Sequence, residues 1–217
     1  MTTPTTIPIL HAVTSDDILE RGDFVHSALR VMSVGGARVA VHLRSARLTG
    51  RELTLLAGQL ASEQEPTGAW LVINDRMDVA RAVGARAAQL TSRSLSVADA
   101  RLAAPALALG ASIHDMDSAV TAAYDGAAWV VAGHVFETPT HEGTPGRGLG
   151  FLREVAAAIA TPVIAIGGVR PEHVATLRAA GASGVAAIRG VWASDAESAG
   201  RAALDYLSAH DASDASN

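Results

Sequence analysis

The chain has 217 residues, a net charge of −5, and a composition that is 49% hydrophobic but only 4% aromatic. The acidic balance argues against a nucleic-acid-binding surface, and the absence of cysteine excludes disulfides and Cys-ligated zinc. The first six residues lack the basic and apolar regions of a signal peptide, and no apolar run reaches the roughly 20 residues of a membrane helix. We therefore expect a cytoplasmic protein with neither a nucleic-acid partner nor a membrane partner.

Short apolar runs alternate with amphipathic stretches along the chain. The runs predict eight strands, at 7–13, 38–43, 69–73, 87–90, 106–113, 127–132, 162–166 and 184–188. The stretches predict helices at 48–63, 76–83, 96–103, 116–124, 149–158 and 171–180. This alternation favours an α/β fold, a (β/α)8 TIM barrel forming one domain over 1–217, with 1–6 and 211–217 disordered. A doubly wound open sheet fits the same pattern, because the pattern does not reveal closure.

Polar residues stand immediately after several predicted strands, where a (β/α)8 barrel places its catalytic groups. His134 follows a strand without any other titratable group and opens a long loop, at 136–147. Because an imidazole exchanges protons near neutral pH, we predict that His134 is the general acid/base. A structural histidine bonded to a neighbouring loop is the alternative. The other strand-end residues are His42, Arg44, Asn74, Asp75, Gln89, Ser112 and His114.

Three of these strand-end residues have competing interpretations. Asp75 is expected either to hold Mg²⁺ between itself and substrate phosphates or to cap the helix that follows it. Arg44 is expected either to bind a substrate carboxylate or phosphate, or to pair with Asp75. His114 is expected to face the barrel mouth or to cap the helix that begins near Asp115.

Two glycine-containing turns follow the last two predicted strands. Gly167-Gly168 comes after the seventh strand, and Ile188-Arg189-Gly190 comes after the eighth. In (β/α)8 barrels the loops at these positions frequently bind a phosphate, and glycine lets the backbone N–H groups approach its oxygens. We therefore predict that Gly167, Gly168, Ile188, Arg189 and Gly190 bind a phosphate, with simple turns as the alternative.

Several of these segments resemble the thiamine phosphate synthase / TenI superfamily. Leu10-His11-Ala12-Val13-Thr14, His42-Leu43-Arg44, Ile73-Asn74-Asp75-Arg76 and Ala165-Ile166-Gly167-Gly168 are similar to four of its strands. The chain departs from the synthase pattern, which has glutamine at His42, lysines at Ala46 and His141, and an aspartate after Gln89-Leu90-Thr91-Ser92. By contrast, Gly133-His134-Val135-Phe136-Glu137-Thr138 and Gly146-Arg147-Gly148 resemble the TenI-type thiazole tautomerases.

The resemblance implies a thiazole tautomerase, an isomerase that aromatises a carboxythiazole phosphate in thiamine biosynthesis. His134 would carry the proton, and no metal or cofactor would be needed. The implied substrate-binding residues are His42, Arg44, Asn74, Ser112, His114, Thr138 and Arg147. The first alternative is a thiamine phosphate synthase, which joins hydroxymethylpyrimidine diphosphate to thiazole phosphate and would use Mg²⁺ on Asp75. The second is a non-catalytic barrel that binds a phosphate ligand. A barrel of this size is also compatible with a homodimer.

Overall fold

Eight parallel strands close into a barrel in which each strand pairs with its neighbours in the sequence and β1 pairs with β8. The computed structural model describes residues 6–138, 143 and 145–215. The strands are β1 Leu10–Val13, β2 Val39–Leu43, β3 Trp70–Asn74, β4 Ala87–Leu90, β5 Ala108–Ile113, β6 Trp129–Ala132, β7 Val163–Ile166 and β8 Gly184–Ala187. The predicted TIM barrel is confirmed, and the open-sheet alternative is wrong because Leu10 is in register with both Val39 and Val185.

Helices cover the outside of the barrel. They are α1 Asp16–Leu19, α2 Phe24–Gly35, α3 Gly50–Ala61, α4 Gln64–Thr67, α5 Met77–Val83, α6 Val97–Ala103, α7 Met116–Tyr124, α8 Gly148–Ala158, α9 Val174–Ala179 and α10 Ala196–Asp214. Of these, α1, α2, α4 and α10 were not among the stretches predicted from the sequence. The two long ones, α2 and α10, pack against each other, and Arg30 forms an ion pair with Glu197 at 3.0 Å between them.

The alternation of side chains along each strand produces two separate layers of core. Val39, Val41 and Leu43 point outward from β2 into the layer between strands and helices. Ala40 points inward, where it joins the large rings of Trp70 and Trp129 in a second cluster. Because strands of a closed parallel barrel are buried on both faces, they read as nearly continuous apolar runs. The rare polar residues on the inner face are therefore exceptions that need an explanation.

The C-terminal segment is more ordered than the sequence predicted. Helix α10 continues to Asp214, so the disorder predicted from Asp211 onward is wrong for 211–214. Asp211 pairs with Arg38, and Asp214 pairs with Arg178, so both carboxylates hold the end of the helix against the barrel. Within the part of the chain that the structure describes, no helix combines the length and the hydropathy needed to span a membrane.

Candidate active site

A cavity of about 370 Å³ lies at the C-terminal mouth of the barrel, where loops follow the strands. Its size falls within the usual range for a small-molecule site. All eight strands or the residues directly after them contribute to the wall. The lining residues are His11, Val13, His42, Arg44, Asn74, Gln89, Thr91, Ser112, Ile113, His114, Val131, Gly133, His134, Thr138, Arg147, Ile166, Gly167, Ala186 and Ile188. The predicted strand-end residues, with the exception of Asp75, therefore line one cavity.

A chain of buried polar groups forms one side of the cavity floor. His11 Nε2 lies 3.0 Å from the Pro8 carbonyl oxygen, and His11 Nδ1 lies 2.8 Å from His42 Nε2. His42 Nδ1 in turn lies 3.1 Å from the side-chain oxygen of Asn74. Burial lowers the pKa of His42 to about 4, and burial together with the nearby His42 lowers the pKa of His11. Both imidazoles are therefore neutral near neutral pH.

This arrangement gives His42 a further role. The side chain lines the cavity as predicted but is 1% exposed, and His11 and Asn74 engage both of its ring nitrogens. His42 therefore holds Asn74, which is 9% exposed, and direct binding of substrate by His42 stays a prediction. His11 was missed by the sequence analysis, although a histidine inside an apolar strand was the signal that could have found it.

A second polar chain crosses the floor from β6 to β5. The Trp129 indole Nε1–H donates to Gln89 Oε1 at 2.9 Å, and Gln89 Nε2 donates to Ser112 Oγ at 3.1 Å. Trp129 is fully buried and Gln89 is nearly so. The predicted site residue Ser112 thus lies at the end of a fixed chain of donors. Trp129 and Gln89 were not predicted as site residues, because their contribution depends on a contact between strands.

The upper wall of the cavity is basic. Arg44 and Arg147 are exposed and line the opening, together with His114 and His134. Arg147 lies over the ring of Phe151 at 4.4 Å, which holds its guanidinium at the start of α8. Among the described lining residues there is no carboxylate. A concave site with this excess of positive charge attracts anionic ligands such as phosphates.

Asp75 lies next to the lining residue Asn74, and its contacts differ from two of the alternatives drawn from the sequence, capping of the next helix and pairing with Arg44. Its carboxylate accepts hydrogen bonds from the hydroxyls of Thr91 and Ser94, and Arg93 lies 3.7 Å away. The residue at the N-cap of α5 is Arg76, so the capping role proposed for Asp75 is wrong. The structure pairs Asp75 with Arg93 and not with Arg44, so that second alternative is also wrong.

The donor set around Asp75 is compatible with magnesium but provides few ligands. Both hydroxyl bonds are made to Oδ1, which leaves Oδ2 as the oxygen nearer to Arg93. The described residues include no cluster of three or more histidine or carboxylate side chains that could hold a metal. Mg²⁺ commonly binds through one or two carboxylates and completes its shell with water and substrate phosphates. The residues therefore fit Mg²⁺ only as a partner of a phosphorylated ligand.

The loop after β6 brings His134 to the cavity wall. The backbone N–H groups of Val135 and Phe136 donate to the carbonyls of Ile166 and Gly167, at 2.8 and 3.1 Å. At its other end, the Arg147 N–H donates to the His134 carbonyl at 2.9 Å. The two described ends of the loop are thus held, one against β7 and one at the start of α8, and Thr138 and Arg147 line the cavity as predicted. His141, one of the positions compared with the synthase pattern, lies outside the described residues.

His114 also lines the cavity as predicted. The cap of α7 is Asp115, whose carboxylate accepts from the Ser118 N–H at 2.7 Å, so His114 does not cap this helix.

The two glycine turns are adjacent at the mouth but meet different neighbours. A Cβ atom at Gly167 would lie 2.3 Å from the His134 Cβ, and one at Gly168 would lie 2.5 Å from the Glu137 carbonyl oxygen. Because both glycines lack a Cβ atom, the loop after β6 can pack directly against them. Gly167 and Ile188 line the cavity, whereas Gly168, Arg189 and Gly190 stand beside it. The amides of those last three donate no hydrogen bond to any described residue.

Comparisons with known proteins extend over almost the whole barrel. Residues 10–191 match the family described as Thiamine monophosphate synthase. A thiamine-phosphate synthase from Methanoculleus marisnigri is 38% identical over 200 residues, which cover 91% of this chain and 94% of the relative. One from Salinispora arenicola is 41% identical over 160 residues, covering 72% and 77%. The solved thiamine phosphate pyrophosphorylase from Pyrococcus furiosus superposes with a TM-score of 0.82 at 26% identity, covering 96% and 98%.

These comparisons contradict the tautomerase function expected from the sequence. The compared relatives are named as synthases, and the matched region includes the His134 segment on which the tautomerase expectation depended. The local resemblance around Gly133 and Arg147 concerned short segments, whereas the similarity to synthases extends through every strand that forms the cavity. The isomerase assignment is therefore wrong, and the membership of the broader superfamily is confirmed.

Proposed function

Since this chain belongs to the thiamine monophosphate synthase family, and is therefore an enzyme of thiamine biosynthesis, we propose that it is a thiamine-phosphate synthase. It would join hydroxymethylpyrimidine diphosphate to a thiazole phosphate and release pyrophosphate. The observation that carries this proposal is the identity of 38% to a named synthase over 94% of that relative's length. The basic cavity at the barrel mouth supports it, because both substrates are phosphorylated.

The reaction requires charge neutralisation more than proton transfer. The thiazole ring nitrogen forms a bond to the methylene carbon of the pyrimidine while the bond from that carbon to the diphosphate oxygen breaks. The electron pair of the broken bond leaves with pyrophosphate, so negative charge accumulates on the leaving group. An enzyme accelerates such a step by aligning the two rings and by placing fixed positive groups where this charge develops.

We assign the anionic groups to two parts of the mouth. The free amides of Gly168, Arg189 and Gly190 form a set of donors that suits a compact phosphate, and we propose that they bind the thiazole phosphate. Arg44 and Arg147 line the wall on which the diphosphate would lie. Asp75 would hold Mg²⁺, which, when bound, supplies additional positive charge to the diphosphate oxygens.

Because this chain departs from the synthase pattern, the arginines would supply a larger share of the positive charge around the leaving pyrophosphate. Ala46 stands where the pattern has lysine, and Thr91-Ser92 supplies no second carboxylate beside Asp75. The Thr91 hydroxyl instead donates a hydrogen bond to the Asp75 carboxylate. With fewer charged groups around the leaving pyrophosphate, removal of one remaining cation should cost a large share of the rate. Arg147 is the better test of this, because its position over Phe151 is fixed.

The proposal is tested by measuring thiamine phosphate formation from both substrates in the presence of Mg²⁺. We expect turnover by the wild-type protein and a decrease of roughly 100-fold in kcat/KM for Arg147→Met. Arg153→Met is the matched control, since Arg153 is an exposed residue of the same helix and does not line the cavity. Binding of both substrates without any product would contradict the proposal and favour the non-catalytic barrel.

A further inference from the structure

Two chains of hydrogen bonds run through the interior of the barrel and end on the cavity floor. The first passes from the Pro8 carbonyl through His11 and His42 to Asn74. The second passes from Trp129 through Gln89 to Ser112. Each chain contains one group whose role is fixed, because a carbonyl oxygen only accepts and an indole N–H only donates. The direction of every other bond in each chain follows from that group.

The direction of the first chain is determined by the Pro8 carbonyl. His11 Nε2 must carry a hydrogen to donate to it, so in a neutral ring His11 Nδ1 is an acceptor. His42 Nε2, 2.8 Å away, must then be the donor of the next bond. In a neutral ring this leaves His42 Nδ1 as an acceptor as well. The Asn74 side-chain group that faces His42 Nδ1 must therefore be a donor.

The surroundings favour neutral rings over a charged pair. Both histidines are buried, and the Trp129 ring lies 5.4 Å from the ring of His11 and 6.4 Å from that of His42. The described residues that line the cavity include no carboxylate that could balance an imidazolium. Burial lowers the pKa of His42 to about 4, so protonation near neutral pH is strongly unfavourable.

Neutral rings require the Asn74 amide to present its nitrogen to His42. The oxygen and nitrogen of an amide exchange positions by a half-turn of the side chain, and the hydrogen-bond partners decide between the two orientations. With the NH₂ group at the position 3.1 Å from His42 Nδ1, the Asn74 carbonyl oxygen faces the cavity. In this orientation Asn74 offers the ligand an acceptor.

The second chain ends with the opposite polarity. Trp129 donates to Gln89 Oε1, which fixes the Gln89 amide so that its nitrogen donates to Ser112 Oγ. Ser112 already accepts this bond, and its own O–H donates to no described residue. Ser112 lines the cavity, so its hydroxyl is available to donate to a ligand. Gln89 belongs to β4, the strand between those that carry Asn74 and Ser112.

We propose that the two chains fix the polarity of the cavity floor, with an acceptor at Asn74, a donor at Ser112, and His11 and His42 as positioning residues. A ligand that reaches both groups would donate to Asn74 and accept from Ser112, as an amino-substituted nitrogen heterocycle does. The identification of this heterocycle with the pyrimidine substrate rests on the proposed function. The polarity of the two chains does not, because it follows from hydrogen bonds within the protein.

The polarity of the first chain is tested by ¹⁵N NMR of the ligand-free wild-type protein with labelled histidine. We expect His11 and His42 each to carry their hydrogen on Nε2 and to remain uncharged through neutral pH. The resonances are assigned with His11→Gln and His42→Gln, and the exposed His26 on α2 provides a reference resonance from a solvent-facing ring. A hydrogen on Nδ1 of either ring, or a charged His42, would overturn the assignment.

A second variant distinguishes positioning from packing. Asn74→Asp replaces the amide donor by an oxygen, so His42 should become doubly protonated near neutral pH in order to donate to it. In the opposite orientation of Asn74, His42 would donate to the Asn74 oxygen already in the wild-type protein. Its ring would then carry both hydrogens before the substitution. An unchanged neutral His42 in folded Asn74→Asp would also contradict the proposal.

The ligand assignment is tested by calorimetry with an aminopyrimidine diphosphate and its analogue in which methoxy replaces the amino group. We expect the analogue to bind the wild-type protein roughly tenfold or more weakly, because it leaves the Asn74 oxygen without a donor. In Asn74→Ala this difference should shrink to less than about threefold. Equal affinities in the wild-type protein would refute the ligand assignment. Preferential binding of the amino compound without synthase turnover would refute the proposed function alone.

Discussion

Replacement of Gly167 by alanine tests how closely the β6 loop is held against β7. Gly167 has a φ of 104°, a backbone angle that residues other than glycine rarely adopt. For alanine this conformation costs roughly 1–2 kcal/mol. The added Cβ would also lie 2.3 Å from the His134 Cβ and 2.7 Å from its Cα. Overpacking of this kind typically costs about 1–3 kcal/mol. The sum predicts a destabilisation of about 2–5 kcal/mol.

Thermal unfolding followed by circular dichroism measures this loss. For a chain of this length the predicted destabilisation corresponds to a decrease in Tm of roughly 4–20 °C. Because the clash is with the segment that carries His134, kcat/KM should fall as well, even at temperatures where the variant stays folded. Gly150→Ala is the control, since nothing lies within 4 Å of its added Cβ and alanine is favoured within α8. A Tm and an activity equal to those of the wild-type protein would refute this account of the loop.

Two further predictions concern the interior and the acidic pH range. Trp129→Phe should destabilise the protein by at least about 1–3 kcal/mol in urea unfolding, because the buried Gln89 oxygen loses its donor; an unchanged midpoint would count against the second polar chain. The Ser45 hydroxyl lowers the pKa of Asp16, so the stability that this carboxylate contributes is present above its unfolded pKa of about 3.9 and is lost as pH falls. Asp16→Asn should therefore have a lower Tm than the wild-type protein at about pH 7, and the difference should shrink progressively as the pH falls below about 3.9; a constant difference would contradict the linkage.

The sequence was sufficient to predict the alternation of strands and helices, because parallel strands and their covering helices have distinct periodicities, whereas the closure of the barrel is shown by the pairing of β1 with β8. Seven of the predicted strands differ from the observed ones by a few residues at their ends, and Ala87–Leu90 agrees at both ends. Helix α10 was not predicted, and its last turn, at 211–214, was expected to be disordered because it is composed of small and polar residues. Its order comes from the ion pairs with Arg38 and Arg178, which are distant in sequence.

The candidate site could be predicted in part. Strand-end position alone identified Asn74, Ser112 and His134, whereas Arg147 came from the resemblance to a known family; all four line the cavity. It could not reveal that His42 is engaged on both ring nitrogens, because one of its partners, His11, lies on another strand.

The predicted reaction, tautomerisation of a thiazole, was wrong for a different reason. It was drawn from a few substituted positions, and short motifs around His134 do not outweigh similarity along the whole barrel.

The most direct test of the proposed synthase is a stoichiometric assay of the wild-type protein with both phosphorylated substrates and Mg²⁺. Thiamine phosphate and pyrophosphate are quantified in the same samples, and each substrate is omitted in turn. The account predicts that both products form in equal amounts and that neither forms when one substrate is absent. Pyrophosphate release without thiamine phosphate, or tight binding of both substrates without either product, would contradict it.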